Sequence, residues 1–354
     1  MREILFVVGE ASGDLHAGKV AEALRTLAPE LAMVGVGGGH MRTAGVEIIE
    51  DVENLAVMGF AEVVRHIPKH FALLGRLRER IHSGRVALVV LLDYPGFNLK
   101  VAEVAKKAGV PVLYYITPQV WAWGAGRLPK LARVVTKAAS ILPFEEGLLR
   151  RHGVDATFVG HPLLDRAQAL PTPAAARAAL GLPADGPILA VFPGSRRAEL
   201  ARHLTPFMET ASLLQARIPD LHVVVSVAPT VRISAADCPF PRVHGASFNV
   251  LRAATAGLLK SGTTTLEAAV AGLPHVIGYR TSAITYAIAR RVVKIPHIGL
   301  VNVVAHREVS REFVQDAYQP SRVADALLPL LDPHSAERAL AEAGLSEVRG
   351  MLGT

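Results

Sequence analysis

The chain has little cysteine, few aromatic residues and no long apolar run, and each shortage excludes something. A single cysteine among 354 residues, Cys238, leaves no internal disulfide and no thiolate metal cluster. Phe, Trp and Tyr make up 5% of the residues and no base-reading motif accompanies them, which sets aside a basic nucleic-acid-binding protein, and no nucleic-acid partner is expected. The longest uninterrupted apolar stretch is about Val86–Leu92, far short of the roughly 20 residues that span a membrane. The run Ile4–Val8 follows Met1 almost directly, without the longer apolar region and cleavage site of a signal peptide, so a cytoplasmic protein is expected. Charged residues are also scarce, 19% against 51% hydrophobic, which excludes a disordered chain. Missing too are GxxxxGK[ST], HExxH and any pair of aspartates at i, i+2, and the histidines lack ligand spacing; no metal and no cofactor is expected.

What remains is a basic globular protein. Lys and Arg number 38 against 31 Asp and Glu, a net charge of +7, and the pI is near 9.7. Such a surface suits an anionic partner: nucleic acid, an acidic membrane surface or a phosphorylated substrate. A mean hydropathy of +0.32 adds weight to the membrane surface. At roughly 100–200 residues per domain the length suits two domains.

Short runs rich in Val, Ile and Leu alternate with helical stretches. Ile4–Val8, Val86–Leu92, Val112–Ile116, Ile188–Phe192, His222–Val227 and His275–Gly278 read as strands, and VALVVLL and HVVVSV show no polar alternation. A strand apolar on both faces belongs in a parallel sheet with helices on each side. Lys19–Leu27, Leu99–Ala108, Leu200–Ala216 and Leu266–Ala271 carry helical spacing. This is the α/β doubly wound pattern, and it occurs twice. The Pro- and Ala-rich stretch Ala167–Pro187 between the halves reads as a linker plus a short helix. The expected organisation is a Rossmann-like domain over 1–165, a second over 166–335 and a helical tail over 336–354.

Four stretches offer chemistry. Gly35-Val36-Gly37-Gly38-Gly39-His40 imitates a dinucleotide fingerprint in the wrong register, and a flexible loop beside the first strand is expected instead. Pro193-Gly194-Ser195-Arg196 follows a buried strand and opens a helix. Its backbone N–H groups and arginine suit a diphosphate, the alternative being a helix cap with a solvated arginine pair. Lys260-Ser261-Gly262-Thr263-Thr264-Thr265-Leu266-Glu267 again puts hydroxyls at a helix start. Glu267, about one turn in, can hydrogen-bond a ribose diol or fold back as a capping box. Asp93 ends the apolar strand Val86–Leu92, where open α/β sheets place their ligands. There a carboxylate can gain a raised pKa and serve as a general base, or it can merely cap the helix that follows.

These and other stretches together resemble the lipid-A-disaccharide synthases. The matching residues are GEASGD at 9–14, Leu92-Asp93-Tyr94-Pro95-Gly96-Phe97-Asn98, Thr117-Pro118-Gln119-Val120-Trp121-Ala122-Trp123, Leu142-Pro143-Phe144-Glu145 and Phe158-Val159-Gly160-His161-Pro162. PGSR at 193–196, SGTTTLE at 261–267 and Gly278-Tyr279-Arg280 complete the set. The matches are ordered from residue 9 to about 315. Two local departures are Val301 and Arg311, where the family commonly has proline. The resemblance implies an inverting, metal-independent glycosyltransferase with two Rossmann-like domains facing a cleft, the GT-B fold. It implies UDP-2,3-diacylglucosamine as donor, 2,3-diacylglucosamine 1-phosphate as acceptor, and a lipid A disaccharide 1-phosphate plus UDP as products. Asp93 would be the base. Ser195, Arg196, Ser261, Gly262 and Thr263 would bind the diphosphate and Glu267 the ribose, with Asn302 and Gln315 closing over the nucleotide. Glu10, Ser12 and Asp14 would line the acceptor side. Alternatives of the same fold are the peptidoglycan N-acetylglucosaminyltransferase and a UDP-sugar 2-epimerase.

Diacylated substrates call for a docking surface at the cytoplasmic face of the inner membrane. Phe60, Val64, Ile67, Phe71, Leu74 and Ile81 recur at helical spacing, apart from a kink expected at Pro68, with Arg65, Lys69, Arg76, Arg78 and Arg80 between them. An apolar stripe flanked by cations can lie among lipid headgroups, here with Val64, Ile67, Phe71 and Leu74 as the patch. The alternative is a helix that packs the stripe on its own sheet. An oligomer is compatible with the sequence.

Overall fold

Strands without polar faces need cover on both sides, and both sheets supply it. The computed structural model describes residues 2–54, 60–292 and 295–353, without the side chains of 60–67, 123, 125, 288 and 292. The chain forms two compact units, Met1–Gly160 and His161–Thr354.

The first unit carries β1 (Glu3–Val7), β2 (Ala32–Gly37), β3 (Glu47–Asp51), β4 (Val86–Leu92), β5 (Val112–Tyr115), β6 (Lys137–Ser140) and β7 (Ala156–Phe158). They pair in the order β3-β2-β1-β4-β5-β6-β7, all parallel. Alternate residues of one strand enter different cores. Leu5, Val7, Val89 and Leu91 pack with Leu73, Leu77, Phe97 and Val101 on one face. Ile4, Phe6, Val90 and Leu92 pack with Ala17, Ala21 and Met41 on the other. Burial on both faces is why the sequence shows no alternation.

The second unit repeats the plan with β8 (Ile188–Phe192), β9 (His222–Val227), β10 (Arg242–His244), β11 (Ala256–Lys260), β12 (His275–Tyr279) and β13 (Glu312–Val314). Their order is β10-β9-β8-β11-β12-β13, again parallel. The helices Arg197–Arg217 and Pro320–Leu331 help cover one face, while Ser247–Ala253 and Thr264–Ala271 help cover the other. In each sheet the chain order reverses beside the first strand, between β1 and β4 and between β8 and β11. That is where open α/β sheets receive ligands.

The glycine-rich stretch after residue 35 is not a loop. Gly35 and Gly37 lie inside β2, and a short helix, Gly39–Thr43, follows at once. A Cβ on Gly35 would stand 2.5 Å from the Phe6 carbonyl oxygen, so the glycines permit close packing and are not hinges. The helix Phe60–His82 runs through Pro68. Among the described residues no helix is long and apolar enough to cross a membrane.

Candidate active site

In the first unit, Gly9-Glu10 follow β1 and Asp93-Tyr94 follow β4, two strands that are neighbours in the sheet. Asp93 and Tyr94 adopt φ of +44° and +48°, and Ile116, just after β5, has φ of +56°. Left-handed backbone at non-glycine residues is disfavoured and persists only when its surroundings hold it. Here they do. The Asp93 N–H donates to the Ile116 carbonyl at 3.3 Å. The Asp93 carbonyl accepts the Tyr114 hydroxyl at 2.5 Å and Asn98 Nδ2 at 2.8 Å. Asn98 is fully buried and also donates to the Leu92 carbonyl. The backbone is clamped while the Asp93 carboxylate is left half-buried. Burial pushes its pKa above the ordinary carboxylate value, the nearby Glu10 carboxylate adds to this, and the Tyr94 amide opposes both. Tyr94 lies over Gly9, where a Cβ would be only 2.2 Å from its ring. His70 Nε2 hydrogen-bonds the Tyr94 hydroxyl.

The residues expected on the acceptor side divide. Glu10 is exposed and accepts the Ser12 hydroxyl at 2.7 Å. Asp14 is 3% exposed. Its carboxylate accepts the amides of Gly38 (2.6 Å), His40 (2.9 Å) and Met41 (3.2 Å). It caps the short helix after β2 from the interior of its own unit.

In the second unit a cavity of about 420 Å³ lies at the switch point and gathers most of the expected donor residues. Ser195 and Arg196 line it from the turn after β8; Ser261, Gly262, Thr263 and Glu267 line it from the turn after β11. The amides of Ser195 and Arg196 were expected to face a ligand, but they donate to Glu199 Oε2 at 2.9 and 3.3 Å. Glu199 Oε1 pairs with Lys260 Nζ at 2.9 Å, and both side chains line the same cavity. Burial pushes the Glu199 carboxyl up, yet the Lys260 ammonium and the Ser195 amide outweigh it and hold it below the usual range. The Arg196 side chain is exposed, with no ion pair among the described residues. Glu267 does not fold back on its helix. Its carboxylate stands 3.8 Å from Arg166, and burial raises its pKa against that arginine.

Asn302 and Gln315 stand outside this lining. Asn302 is fully buried, and its amide binds the Ser310 carbonyl, Glu312 Oε1 and the amides of Val309 and Ser310. Gln315, at φ +55°, exchanges two hydrogen bonds with the Thr281 backbone. Both fix the chain around β12 and β13, and their polar atoms are occupied there. Glu199 and Lys260 are charged pocket residues to which the sequence reading gave no role, although Lys260 heads the second helix-start stretch. Arg196-x-x-Glu199, a capping-box spacing, was the available signal.

Of the patch expected at the membrane, Val64 and Ile67 lie outside the described side chains. Phe71 is 61% exposed, with Lys100 Nζ 5.1 Å from its ring centre. Leu74 is partly buried against the core, and Ile81 is buried in it with Leu73 and Leu77. The helix thus presents a core stripe that is separate from Phe71.

Two parallel sheets of this order, each with its polar groups at a switch point, are the two Rossmann-like units of the GT-B fold. Solved structures share the fold. The kitacinnamycin glycotransferase matches with a TM-score of 0.64 at 17% identity, over 99% of this chain and 94% of its own. The UDP-GlcNAc 2-epimerase of Methanocaldococcus jannaschii, in complex with UDP-GlcNAc and UDP, matches with a TM-score of 0.58 at 13% identity, over 99% of both chains. The sequence narrows the class. The lipid-A-disaccharide synthetase family profile matches residues 4–347. The lipid-A-disaccharide synthase of Anaeromyxobacter sp. (strain K) is 43% identical over 99% of this chain and 93% of its own length. That of Geobacter metallireducens is 40% identical over 100% and 94%. The chain belongs to the lipid-A-disaccharide synthase family, glycosyltransferases of lipid A biosynthesis.

Proposed function

We propose that the enzyme transfers the diacylglucosaminyl group of UDP-2,3-diacylglucosamine to the 6-hydroxyl of 2,3-diacylglucosamine 1-phosphate. Asp93 takes the hydroxyl proton as the oxygen attacks the donor anomeric carbon. The new C1–O6 bond forms, the C1–phosphate oxygen bond breaks with its electron pair, and UDP leaves. Attack opposite the leaving group inverts the anomeric centre and gives the β-1,6-linked disaccharide 1-phosphate. A general base works best with a pKa close to the working pH, and the raised Asp93 carboxyl moves in that direction. Arg196, with the hydroxyls at Ser195, Ser261 and Thr263, neutralises the departing diphosphate, and Glu267 takes the ribose hydroxyls. Glu10 and Ser12 stay on the acceptor side. Asp14, Asn302 and Gln315 serve the scaffold. The first unit, residues 1–165 in this reading, handles acceptor and membrane, and 166–335 binds the UDP-sugar. The enzyme docks peripherally on the cytoplasmic face of the inner membrane, where diacylated sugars reside.

The observation that carries this reading is the half-buried Asp93 carboxylate on a backbone clamped by Ile116, Tyr114 and Asn98. Asp93→Asn keeps size and hydrogen-bonding shape but cannot accept the proton. Turnover of the acylated pair, followed by mass spectrometry with UDP-N-acetylglucosamine as control donor, should fall by ~10²–10⁴-fold. UDP affinity and Tm should stay near wild type. Early melting with a proportionate activity loss would make Asp93 structural.

A further inference from the structure

The donor pocket has a charge problem that Arg196 alone does not solve. A diphosphate gains about one further negative charge when the glycosidic bond breaks, and a site that favours this needs positive charge already in place. Helix-start amides would be one source, but those of Ser195 and Arg196 are held by Glu199 Oε2. Gly194, at φ +133°, could not carry a Cβ without standing 2.8 Å from the Glu199 carboxylate oxygen, so that carboxylate is packed onto the turn. Its other oxygen holds the Lys260 ammonium.

Lys260 is the last residue of β11, and its side chain bridges the two turns of the pocket. Nζ is 2.9 Å from Glu199 on the first turn. On the second it stands 3.4 Å from where a Cβ of Gly262 would be, ordinary contact distance from that turn. The Tyr279 ring lies 5.8 Å away on the far side. An ammonium has three donor hydrogens, and the carboxylate uses one. The others remain for the cavity that Ser195, Arg196, Ser261 and Thr263 share with it.

We propose that Lys260 is a second cation for the donor diphosphate, held against the first turn by Glu199, so that a side chain takes the place of the occupied Ser195 and Arg196 amides in neutralising the leaving group. This rests on the reading of the pocket as the UDP site. The test is isothermal titration of the full-length enzyme with UDP, UMP and uridine. Lys260→Met should weaken UDP by ~10–100-fold, the worth of a charge-assisted contact, and leave uridine unchanged. Lys260→Arg should restore most of the UDP affinity. Equal weakening of all three ligands, or a lowered Tm that Lys260→Arg does not repair, would make the lysine a structural partner of Glu199 and overturn the proposal. Wild-type affinity for UDP in Lys260→Met would overturn it as well. If the wild type itself fails to bind UDP, the reading of the pocket falls first.

Discussion

Asp93 shows how a single residue is made chemical by its backbone. Two consecutive left-handed residues ahead of Pro95 are disfavoured, and the surrounding hydrogen bonds compensate. The carboxylate gains a fixed direction from this. Its pKa is then set by burial and by Glu10, which is exposed, so water screens the second effect. Glu10→Gln removes a neighbouring negative charge and should lower the Asp93 pKa. Below that pKa the base is protonated and inactive, so the acid limb of kcat/KM should move to lower pH in Glu10→Gln. An unmoved limb in the pH–rate profile would separate Glu10 from the base. Asp93, Ser195 and Arg196 were legible as candidates because each follows an apolar run and strand ends in parallel sheets gather ligands, and Glu267 because it follows a hydroxyl-rich helix start. Glu199 was hidden by its double use as a helix-start carboxylate, and Lys260 by lying within a strand that the hydropathy did not reveal. Asn302 and Gln315 came from family resemblance alone, and their side chains bond within their own unit.

At the scale of elements, the two units handle a glycine-rich turn in the same way. Each directs an internal carboxylate at the amides of a helix start: Asp14 for the helix after β2, Glu199 for the helix after β8. A helix N-terminus attracts anions, and the protein supplies its own. This explains why the stretch at 35–40 imitates a dinucleotide fingerprint without being one. Asp14→Asn would turn one acceptor into a donor facing buried amides, a loss of roughly 1–3 kcal/mol that a lower Tm should report. KM for both substrates should stay near wild type in the folded fraction. A raised acceptor KM with unchanged Tm would instead return Asp14 to the substrate. The long two-faced strands were readable from composition. β6, β7, β10 and β13 are three or four residues each, too short and too mixed to stand out. β2 was masked by the glycines that its close packing requires.

At the scale of the whole molecule, a net charge of +7 suits the anionic bilayer in which the proposed diacylated substrates would sit. The sequence suggested one apolar stripe from Phe60 to Ile81, but helical spacing cannot say which way a stripe faces. Leu73, Leu77 and Ile81 supply the sheet-facing side, so the helix does not need Phe71 for its core. An aromatic side chain 61% exposed, with Lys100 over its ring and Arg78 nearby in sequence, has the composition of an interfacial anchor. Basic residues near an anionic surface contribute ~1 kcal/mol each, screened by salt, while buried apolar area is not. The two contributions can therefore be separated. Binding to phosphatidylglycerol-containing vesicles should weaken with added salt in the wild type but retain a salt-resistant part. Replacing Val64, Ile67 and Phe71 together by Ser should remove that resistant part while Tm and UDP affinity hold. Phe71→Ser alone should lower it in part, since its side chain already stands in solvent and its loss leaves no cavity. If the triple variant unfolds, and Phe71→Ser binds vesicles as the wild type does at every salt concentration, the helix belongs to the core and docking lies elsewhere.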